Sequence, residues 1–410
     1  MGWLLAGCAG VSGPIQPLTD SDHQYGSSEQ EQRLIAQADA AHQELLGRGL
    51  LYRQNTVNDY ISRVGHSVTP AIVGDAVKIH FYVLKDPAVN AMAFPNGNVY
   101  INVGLLARLE NEAQLAHVLS HEVAHVVQRH SLKGSYSRQN TIVAAHITDL
   151  LMFGTSIAYL PFIHGLSVYS QEQELEADKY ALEYMRGANY DVRQSQEVFR
   201  VIQETKAVES VPGSIYASHP THQQRIDKAK EWIATLYSTQ GSQGFVGVET
   251  YQSVRQQVTR LNLQLKLNEK QFQLTIEAVD KALQHAMNDP WLWYYKGEAY
   301  RLMAEQPKSA AREYIWLNGK QPGDAEEVLQ QFTASKGENL QQAAQIFRDA
   351  LSRAGELPQL HRGLGLVAFV EGDNSSAVQE LHRYLEGEPQ AKDKLYIEHI
   401  LQDLGGNNEH

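Results

Sequence analysis

Apolar residues recur every three or four positions over much of this chain, and that spacing predicts helices. Between residues 29 and 64 the segments "RLIAQADAAHQELL" and "VNDYISRVG" follow the helical period. Residues 77–85, "VKIHFYVLK", alternate instead as a half-buried strand does. The following "NAMAFPNGNVYINVGLL" predicts a hairpin, because "PNGN" at residues 95–98 supplies the turn. The pattern therefore predicts a mainly α fold of the α+β class with a small sheet.

The helical spacing resumes near residue 105 and continues to about residue 236. A polar, glycine-bearing stretch, "STQGSQGFVG" at residues 238–247, then interrupts it and marks the predicted domain boundary. We expect an N-terminal tether over residues 1–28, a first domain over 29–237, a linker over 238–260 and a helical domain over 261–410.

The predicted helical domain carries a repeat-like spacing. Pro290 and Pro358 are separated by 68 residues, which is twice 34. The residue types and spacing of Leu364-Gly365, Ala377, Leu381 and Pro389 resemble the tetratricopeptide pattern. Such helix pairs would stack into a short curved array, and partners would dock on its concave face. A plain helical bundle with chance spacing is the alternative.

The charge balance argues against one class of partner. The 410-residue chain has a formal net charge of -12, spread along its length. Nucleic-acid phosphates require basic surface, so no nucleic-acid partner is predicted.

The single cysteine, Cys8, excludes an internal disulfide. Its setting, "LLAGC", resembles the lipobox of bacterial lipoproteins, although only seven residues precede it. The resemblance implies a lipidated Cys8 that anchors a periplasmic protein to the outer membrane. A stray cysteine near a frayed terminus is the alternative.

The longest apolar region, residues 141–166, is interrupted by His146, Asp149, Gly154, Pro161 and His164. It lacks the run of about 18 apolar residues expected of a membrane-spanning helix. Two alternatives stay open, a buried helical hairpin and a segment that covers a cleft or touches a membrane surface.

Histidines are concentrated in residues 115–130, "LAHVLSHEVAHVVQRH". His117, His121 and His125 fall on one helix face, but the first and last are roughly 12 Å apart, so only neighbours can share a metal. The H-E-x-x-H arrangement selects His121 and His125 as ligands and Glu122 as general base. His130, five residues after His125, is expected to point well round the helix. We take His117 and His130 as structural, surface or ligand-supporting groups.

A catalytic zinc needs a third protein ligand and one open position. The helix predicted for residues 170–184, "SQEQELEADKYALEY", offers Glu174 and Asp178 on one face, four residues apart. Glu172 and Glu176 have the same spacing, so spacing alone does not choose between the pairs. A solvated acidic face is the other interpretation of this segment.

The motif "HEVAH", followed about fifty residues later by "ELEAD", resembles the gluzincin metallopeptidases related to HtpX and the CAAX prenyl endopeptidases. With the repeat-like tail and the lipobox, the chain is most similar to the BepA-type periplasmic proteases of that family. The resemblance implies a zincin-type domain over residues 29–237 with one Zn²⁺ per chain. It also implies that Glu174 is the third ligand and that Asp178 supports a ligand histidine.

Two further segments are similar to parts of the same family. "NAMAFPNGNVYI" resembles an edge strand that pairs with an extended substrate, which implies a substrate-binding role for Asn90, Ala91, Met92 and Ala93. "SHPTHQQRI" at residues 218–226 resembles a segment in which a histidine and an arginine stabilise the tetrahedral oxyanion. These residues would be His219 and Arg225, with His222 as a rival for the histidine.

The sequence thus predicts a zinc metalloendopeptidase in which Glu122 moves the proton from the attacking water to the leaving amine. The resemblance implies misfolded envelope proteins as substrates, a role in outer-membrane protein quality control, and possible contact between the repeat domain and the assembly machinery. The alternative is a latent or non-catalytic chaperone or adaptor whose zinc site is closed by His219.

Overall fold

The computed structural model describes residues 15–20, 25–137, 169–203, 219, 223–236 and 244–406. Cys8, the region 141–166 and His222 lie outside the described residues, so their predictions stay predictions. The chain divides into two compact units, Met1–Val258 and Thr259–His410.

The first unit is mainly helical with one small sheet, as the sequence predicts. Its helices are, in chain order, α1 (Glu29–Gly47), α2 (Asn55–Val68), α3 (Val103–Leu106), α4 (Glu112–Val127), α5 (His130–Ser137), α6 (Gln171–Gly187), α7 (Gln194–Gln203) and α8 (Gln223–Leu236). A ninth helix, α9 (Val248–Asn268), begins in this unit. Within the described residues no helix has the length and apolar character needed to cross a membrane.

The sheet has three strands, β1 (His80–Leu84), β2 (Ala91–Ala93) and β3 (Asn98–Asn102), in the order β1-β3-β2. β1 is parallel to β3, whereas β2 and β3 form the antiparallel hairpin that the sequence predicts. Gly97 has a φ of 87° in the turn, and a Cβ there would lie 2.4 Å from the Lys78 carbonyl oxygen. The turn therefore requires glycine at this position.

Helix α4 is buried along its whole length, so its polar residues, including the histidines and Glu122, are enclosed together with its apolar ones. Asn111 caps it, with its side chain accepting a hydrogen bond from the backbone N–H of Gln114. The Glu112 carboxylate is also buried, and it accepts hydrogen bonds from the hydroxyls of Tyr60 (2.6 Å) and Tyr190 (2.7 Å). These contacts fix the start of α4, so the histidines further along it have a defined position.

The second unit contains the rest of α9 and eight further helices in the described residues. They are α10 (Phe272–Leu283), α11 (Pro290–Glu305), α12 (Pro307–Leu317), α13 (Ala325–Ala334), α14 (Lys336–Arg353), α15 (Pro358–Glu371), α16 (Asn374–Gly387) and α17 (Lys394–Gly406).

The residues of the repeat-like pattern pack together in this unit. A Cβ at Gly365 on α15 would lie 2.7 Å from the Leu381 side chain on α16, so glycine lets the two helices approach closely. Ala377 and Leu381 are fully buried in the same cluster. The tetratricopeptide assignment itself stays a prediction.

Candidate metal centre

The centre is built between α4 and α6. His121 and His125 lie one turn apart on α4, and their Nε2 atoms are 3.0 Å from each other. Glu174, in the first turns of α6, places its Oε2 at 3.4 Å from His121 Nε2 and its Oε1 at 3.5 Å from His125 Nε2. A capping box at Ser170 and Gln173 starts α6 directly before Glu174 and so sets its position.

His219 comes from a segment about a hundred residues after α4 and approaches the same point. Its Nδ1 is 2.9 Å from Glu174 Oε1 and 3.4 Å from His121 Nε2. One ligand atom from each of His121, His125, Glu174 and His219 lies within 4.8 Å of the others, and all four residues are buried.

These separations fit the donor set of a tetrahedral zinc ion. Ligand atoms at about 2.0–2.1 Å from zinc are roughly 3.3 Å from each other at tetrahedral angles. The five separations given above, which involve both oxygens of Glu174, span 2.9 to 3.5 Å. Three imidazole nitrogens and one carboxylate oxygen are ligands that zinc accepts. His117, the third histidine of the α4 stripe, is not in this group.

Asp178 lies behind His121. Its Oδ1 is 3.0 Å from His121 Nδ1, on the far side of the ring from the ligand cluster. Burial lowers the pKa of His121, but its hydrogen bonds to Asp178 and Glu174 outweigh this effect and raise that pKa to about 9. Positive charge is therefore favoured at His121, and a cation at Nε2 would take the place of the proton.

Arg225, on α8, forms ion pairs with the Glu174 and Asp178 carboxylates of α6. Its Nε donates to Asp178 Oδ2 at 2.7 Å and its Nη1 lies 2.7 Å from Glu174 Oε2. Burial raises the pKa of Asp178, but the Arg225 charge and hydrogen bonds lower it to about 2. The guanidinium donors thus face carboxylates in this structure, and a role for Arg225 at the oxyanion stays a prediction.

The formal charges of the centre are unbalanced. Glu122, Glu174 and Asp178 are buried carboxylates, whereas Arg225 is their buried cation. Because unpaired buried charge is costly, the excess of buried carboxylates over Arg225 favours further positive charge at this point, on His121 or on a bound cation.

Glu122 lies beside the ligand cluster and outside it. Its Oε1 is 3.5 Å from His219 Nε2, and its Oε2 has no hydrogen-bond partner among the described residues. Burial raises the pKa of this carboxyl group, which brings it closer to that of a general base acting near neutral pH. A pocket adjoins Glu122, and Val118, Phe199 and Ile202 give it an apolar wall.

Comparison with known proteins agrees with this geometry. Residues 55–233 match peptidase family M48. This stretch of the chain is a peptidase family M48 domain. It contains every ligand candidate named above and confirms the predicted metallopeptidase, whereas the predicted domain bounds of 29–237 stay a prediction.

Relatives of the M48 domain come from bacteria and from mitochondria. The chain is 24% identical over 346 residues to the beta-barrel assembly-enhancing protease of Yersinia pestis, covering 80% of this chain and 68% of that protein. The Escherichia coli K12 protein of the same name is 25% identical over 199 residues, 46% of this chain and 41% of the relative. The mitochondrial metalloendopeptidase OMA1 of Schizosaccharomyces pombe is 28% identical over 176 residues, 42% of this chain and 52% of the relative.

Two further residues of the M48 domain touch His125. Tyr169 was not predicted, whereas a ligand-supporting role was one of the alternatives left open for His130. Tyr169 stacks on the His125 ring, with 3.7 Å between ring centroids and 16° between ring planes. His130 Nδ1 lies 2.8 Å from His125 Nδ1. No motif of the sequence marks Tyr169.

The expectation that His130 points well round the helix was wrong. Helix α4 ends at Val127, and Arg129 has a φ of 54°, so the chain turns back before α5 begins at His130. A left-handed residue of this kind is rare outside glycine and cannot be derived from helical periodicity.

The predicted substrate strand lies at the edge of the sheet, and Asn90, Ala91, Met92 and Ala93 are all buried. The Met92 side chain packs in a core cluster. The Ala93 carbonyl oxygen accepts a hydrogen bond from the Tyr169 hydroxyl at 3.1 Å, so the strand is tied to the aromatic ring that covers His125.

Proposed function

We propose that this protein is a zinc endopeptidase that hydrolyses unfolded or misassembled proteins of the bacterial envelope. The observation that carries the proposal is the convergence of His121, His125 and Glu174 on one point, with Glu122 beside it. A purely structural zinc site would have no use for a buried carboxylate at that position with one oxygen left without a hydrogen-bond partner among the described residues.

In this proposal His121, His125 and Glu174 hold the zinc ion. When bound, zinc supplies a Lewis acid that polarises the scissile carbonyl and lowers the pKa of a water molecule. Asp178 accepts the Nδ1 proton of His121 and so keeps Nε2 available as a ligand atom. Arg225 keeps Asp178 and Glu174 ionised and oriented.

Glu122 is proposed to take the proton from the attacking water and to return it to the leaving amine. Burial raises the pKa of Glu122, which makes the carboxylate a stronger base for the first step and moves its pKa toward the working pH for the second. The apolar pocket next to Glu122 would receive a substrate side chain adjacent to the scissile bond.

The edge strand is proposed to bind the substrate backbone. The backbone N–H of Asn102 donates to the Asn90 carbonyl and that of Phe94 donates to the Asn98 carbonyl, so positions 90 and 94 face β3. Ala91 and Ala93, at the alternate positions, direct their backbone groups to the other edge, where a bound peptide would replace the Tyr169 hydroxyl that donates to the Ala93 carbonyl. An extended peptide added there would lie along the cleft as an extra strand.

The names of two relatives support the proposed substrate class. Both carry the name beta-barrel assembly-enhancing protease, which supports envelope proteins as substrates and a periplasmic location. Lipidation at Cys8 would anchor the protein to the outer membrane. The helical second unit would dock substrates or components of the outer-membrane assembly machinery.

A second function, a latent protease, is favoured by the position of His219. Its Nδ1 completes the group of four ligand atoms, and a fourth protein ligand would leave no open position for a water or a substrate. His219 is therefore proposed either to close the site or, after moving, to hold the oxyanion.

The experiment compares the purified wild type with Glu122→Gln on an unfolded outer-membrane protein and on casein, with and without a chelator. We expect the wild type to cleave in a chelator-sensitive manner and Glu122→Gln to lose at least roughly 100-fold in rate, while zinc stays near one per chain. Glu110→Gln, a partly exposed carboxylate before α4, is the matched control.

Undiminished cleavage by Glu122→Gln would exclude the general-base role. A wild type that binds zinc but cleaves neither substrate would favour the latent protease.

A further inference from the structure

A second carboxylate is connected to the ligand cluster through a histidine. His130 has no exposed surface, and its Nε2 lies 3.0 Å from Glu176 Oε2, while its Nδ1 lies 2.8 Å from His125 Nδ1. Glu176 is on α6, between the ligand candidate Glu174 and Asp178, which contacts His121. The three side chains form a continuous line, Glu176–His130–His125, that ends at the centre.

The proton positions along this line follow from hydrogen-bond chemistry. An ionised carboxylate only accepts hydrogen bonds, so the Nε2 of His130 must donate to Glu176. A His130 ring with one proton then has a lone pair at Nδ1. The facing Nδ1 of His125 must supply the proton between the two rings, which leaves His125 Nε2 unprotonated and directed at Glu174 and His121.

The backbone around His130 is held independently of the centre. The Gln173 side chain, which also forms the capping box of α6, donates to the His130 carbonyl at 3.0 Å. Arg129, the residue with positive φ, donates from its Nε to Glu31 at 2.9 Å. The His130 ring is therefore fixed against His125 by contacts to two other helices.

We propose that His130 and Glu176 are positioning residues that set the tautomer and the ring orientation of His125. The inference rests on the proposed role of His125 as a zinc ligand. The two ligand histidines would then be oriented in different ways: His121 by direct contact with Asp178, and His125 through an intervening imidazole. Removing such a partner of a ligand histidine costs roughly 10- to 100-fold in metal affinity.

The test measures zinc affinity by competition with a chromophoric chelator for Glu176→Ala, Glu176→Gln and His130→Phe. We expect Glu176→Ala and His130→Phe to raise the zinc dissociation constant roughly 10- to 100-fold. Glu176→Gln, which can still accept from His130 through its amide oxygen, should stay within a few-fold of the wild type. The melting temperature of zinc-free Glu176→Ala should be unchanged, because the Glu176 side chain is 40% exposed.

Two further variants serve as a control and as a test of the ligand set. Glu172→Ala removes an exposed carboxylate one turn earlier on α6 and should bind zinc as the wild type does. His125→Ala should lose zinc; if it does not, the proposed ligand set fails. If His125→Ala loses zinc while Glu176→Ala and His130→Phe keep wild-type affinity, the positioning role is overturned and the proposed function stands.

A spectroscopic measurement tests the tautomer directly. In nitrogen-15 NMR spectra of the zinc-free protein with labelled histidine, we expect His125 to carry its proton on Nδ1 and to lose this preference in His130→Phe. A His125 tautomer that does not respond to His130→Phe would contradict the proposal.

Discussion

Asp178 Oδ1 lies 3.0 Å from His121 Nδ1, and the same carboxylate accepts a 2.7 Å hydrogen bond from Arg225 at its other oxygen. The line Arg225–Asp178–His121 thereby crosses three helices, α8, α6 and α4. Each group fixes the next, so the orientation of a ligand candidate depends on an arginine about a hundred residues away in the sequence. The contacts of this centre lead to three predictions, and a buried carboxylate in the second unit leads to a fourth.

Glu174→Gln should lower zinc content well below one per chain, because the buried carboxylate faces both Nε2 atoms of the HEVAH motif. The measurement is zinc per chain by atomic emission after dialysis against a weak chelator. Glu172→Gln is the matched control, since Glu172 lies on the same helix and is exposed. Equal zinc retention by the two variants would remove Glu174 from the ligand set.

His219→Ala separates the two functions proposed for this residue. If His219 closes the site, the variant should cleave an unfolded substrate faster than the wild type; if His219 holds the oxyanion, the rate should fall by roughly 10²–10³-fold. Initial cleavage rates with zinc content measured in parallel give the answer. His222→Ala, from the same segment, should leave the rate unchanged, and an identical change in both variants would show that neither role is specific to His219.

Arg225→Met should destabilise the first unit by roughly 3–5 kcal/mol, because it leaves Asp178 and Glu174 without their buried cation. Urea unfolding of the zinc-free protein measures the free energy. Arg193→Met is the control: its ion pair with Asp191 is partly exposed, so roughly 0–1 kcal/mol is expected. A similar small loss in both variants would mean that Arg225 does not neutralise the centre.

Glu313 gives the second unit a pH dependence. Burial raises the pKa of this carboxyl group to about 7, although backbone N–H groups of Gln273 and Leu274 donate to it. Because folding raises this pKa, the protonated Glu313 side chain stabilises the unit fully below pH 4.5, the ordinary pKa of the group. This contribution to the free energy of unfolding is lost as the pH rises through 7.

We therefore expect the melting temperature of the second unit to fall between about pH 4.5 and 7 in calorimetry of the full chain, and Glu313→Gln to flatten this change. The exposed Glu277→Gln is the control and should keep the wild-type slope. A Glu313→Gln profile parallel to that of the wild type would contradict the raised pKa.

The local part of the centre was predictable from the sequence. His121, Glu122 and His125 belong to one helical turn, and a period of 3.6 residues brings their side chains together wherever the helix lies. The small sheet followed from the same kind of argument, because strand alternation and the Asn-Gly turn act between neighbours in the chain. The assignment to peptidase family M48 over residues 55–233 agrees with that prediction.

The choice among the acidic residues of α6 was not predictable from spacing. Glu172, Glu174 and Glu176 all occupy helical positions that suit a ligand, and only the resemblance to a known family favoured Glu174. In the structure Glu172 is exposed, Glu174 faces the histidines and Glu176 contacts His130. The rotation of α6 about its own axis relative to α4 determines which of these carboxylates faces the histidines. That rotation is set by how the two helices pack.

The sequence alone determined the helices, the strands and the motif of His121, Glu122 and His125 within a single turn of α4, because these depend on bonds and spacings along the chain. The tertiary structure decided which distant groups complete the centre: Arg225 on the carboxylates, His219 among the ligand atoms and His130 behind His125. The last of these depends on one left-handed residue, Arg129. Such contacts are set by how buried surfaces pack against each other, and no periodicity in the sequence encodes them.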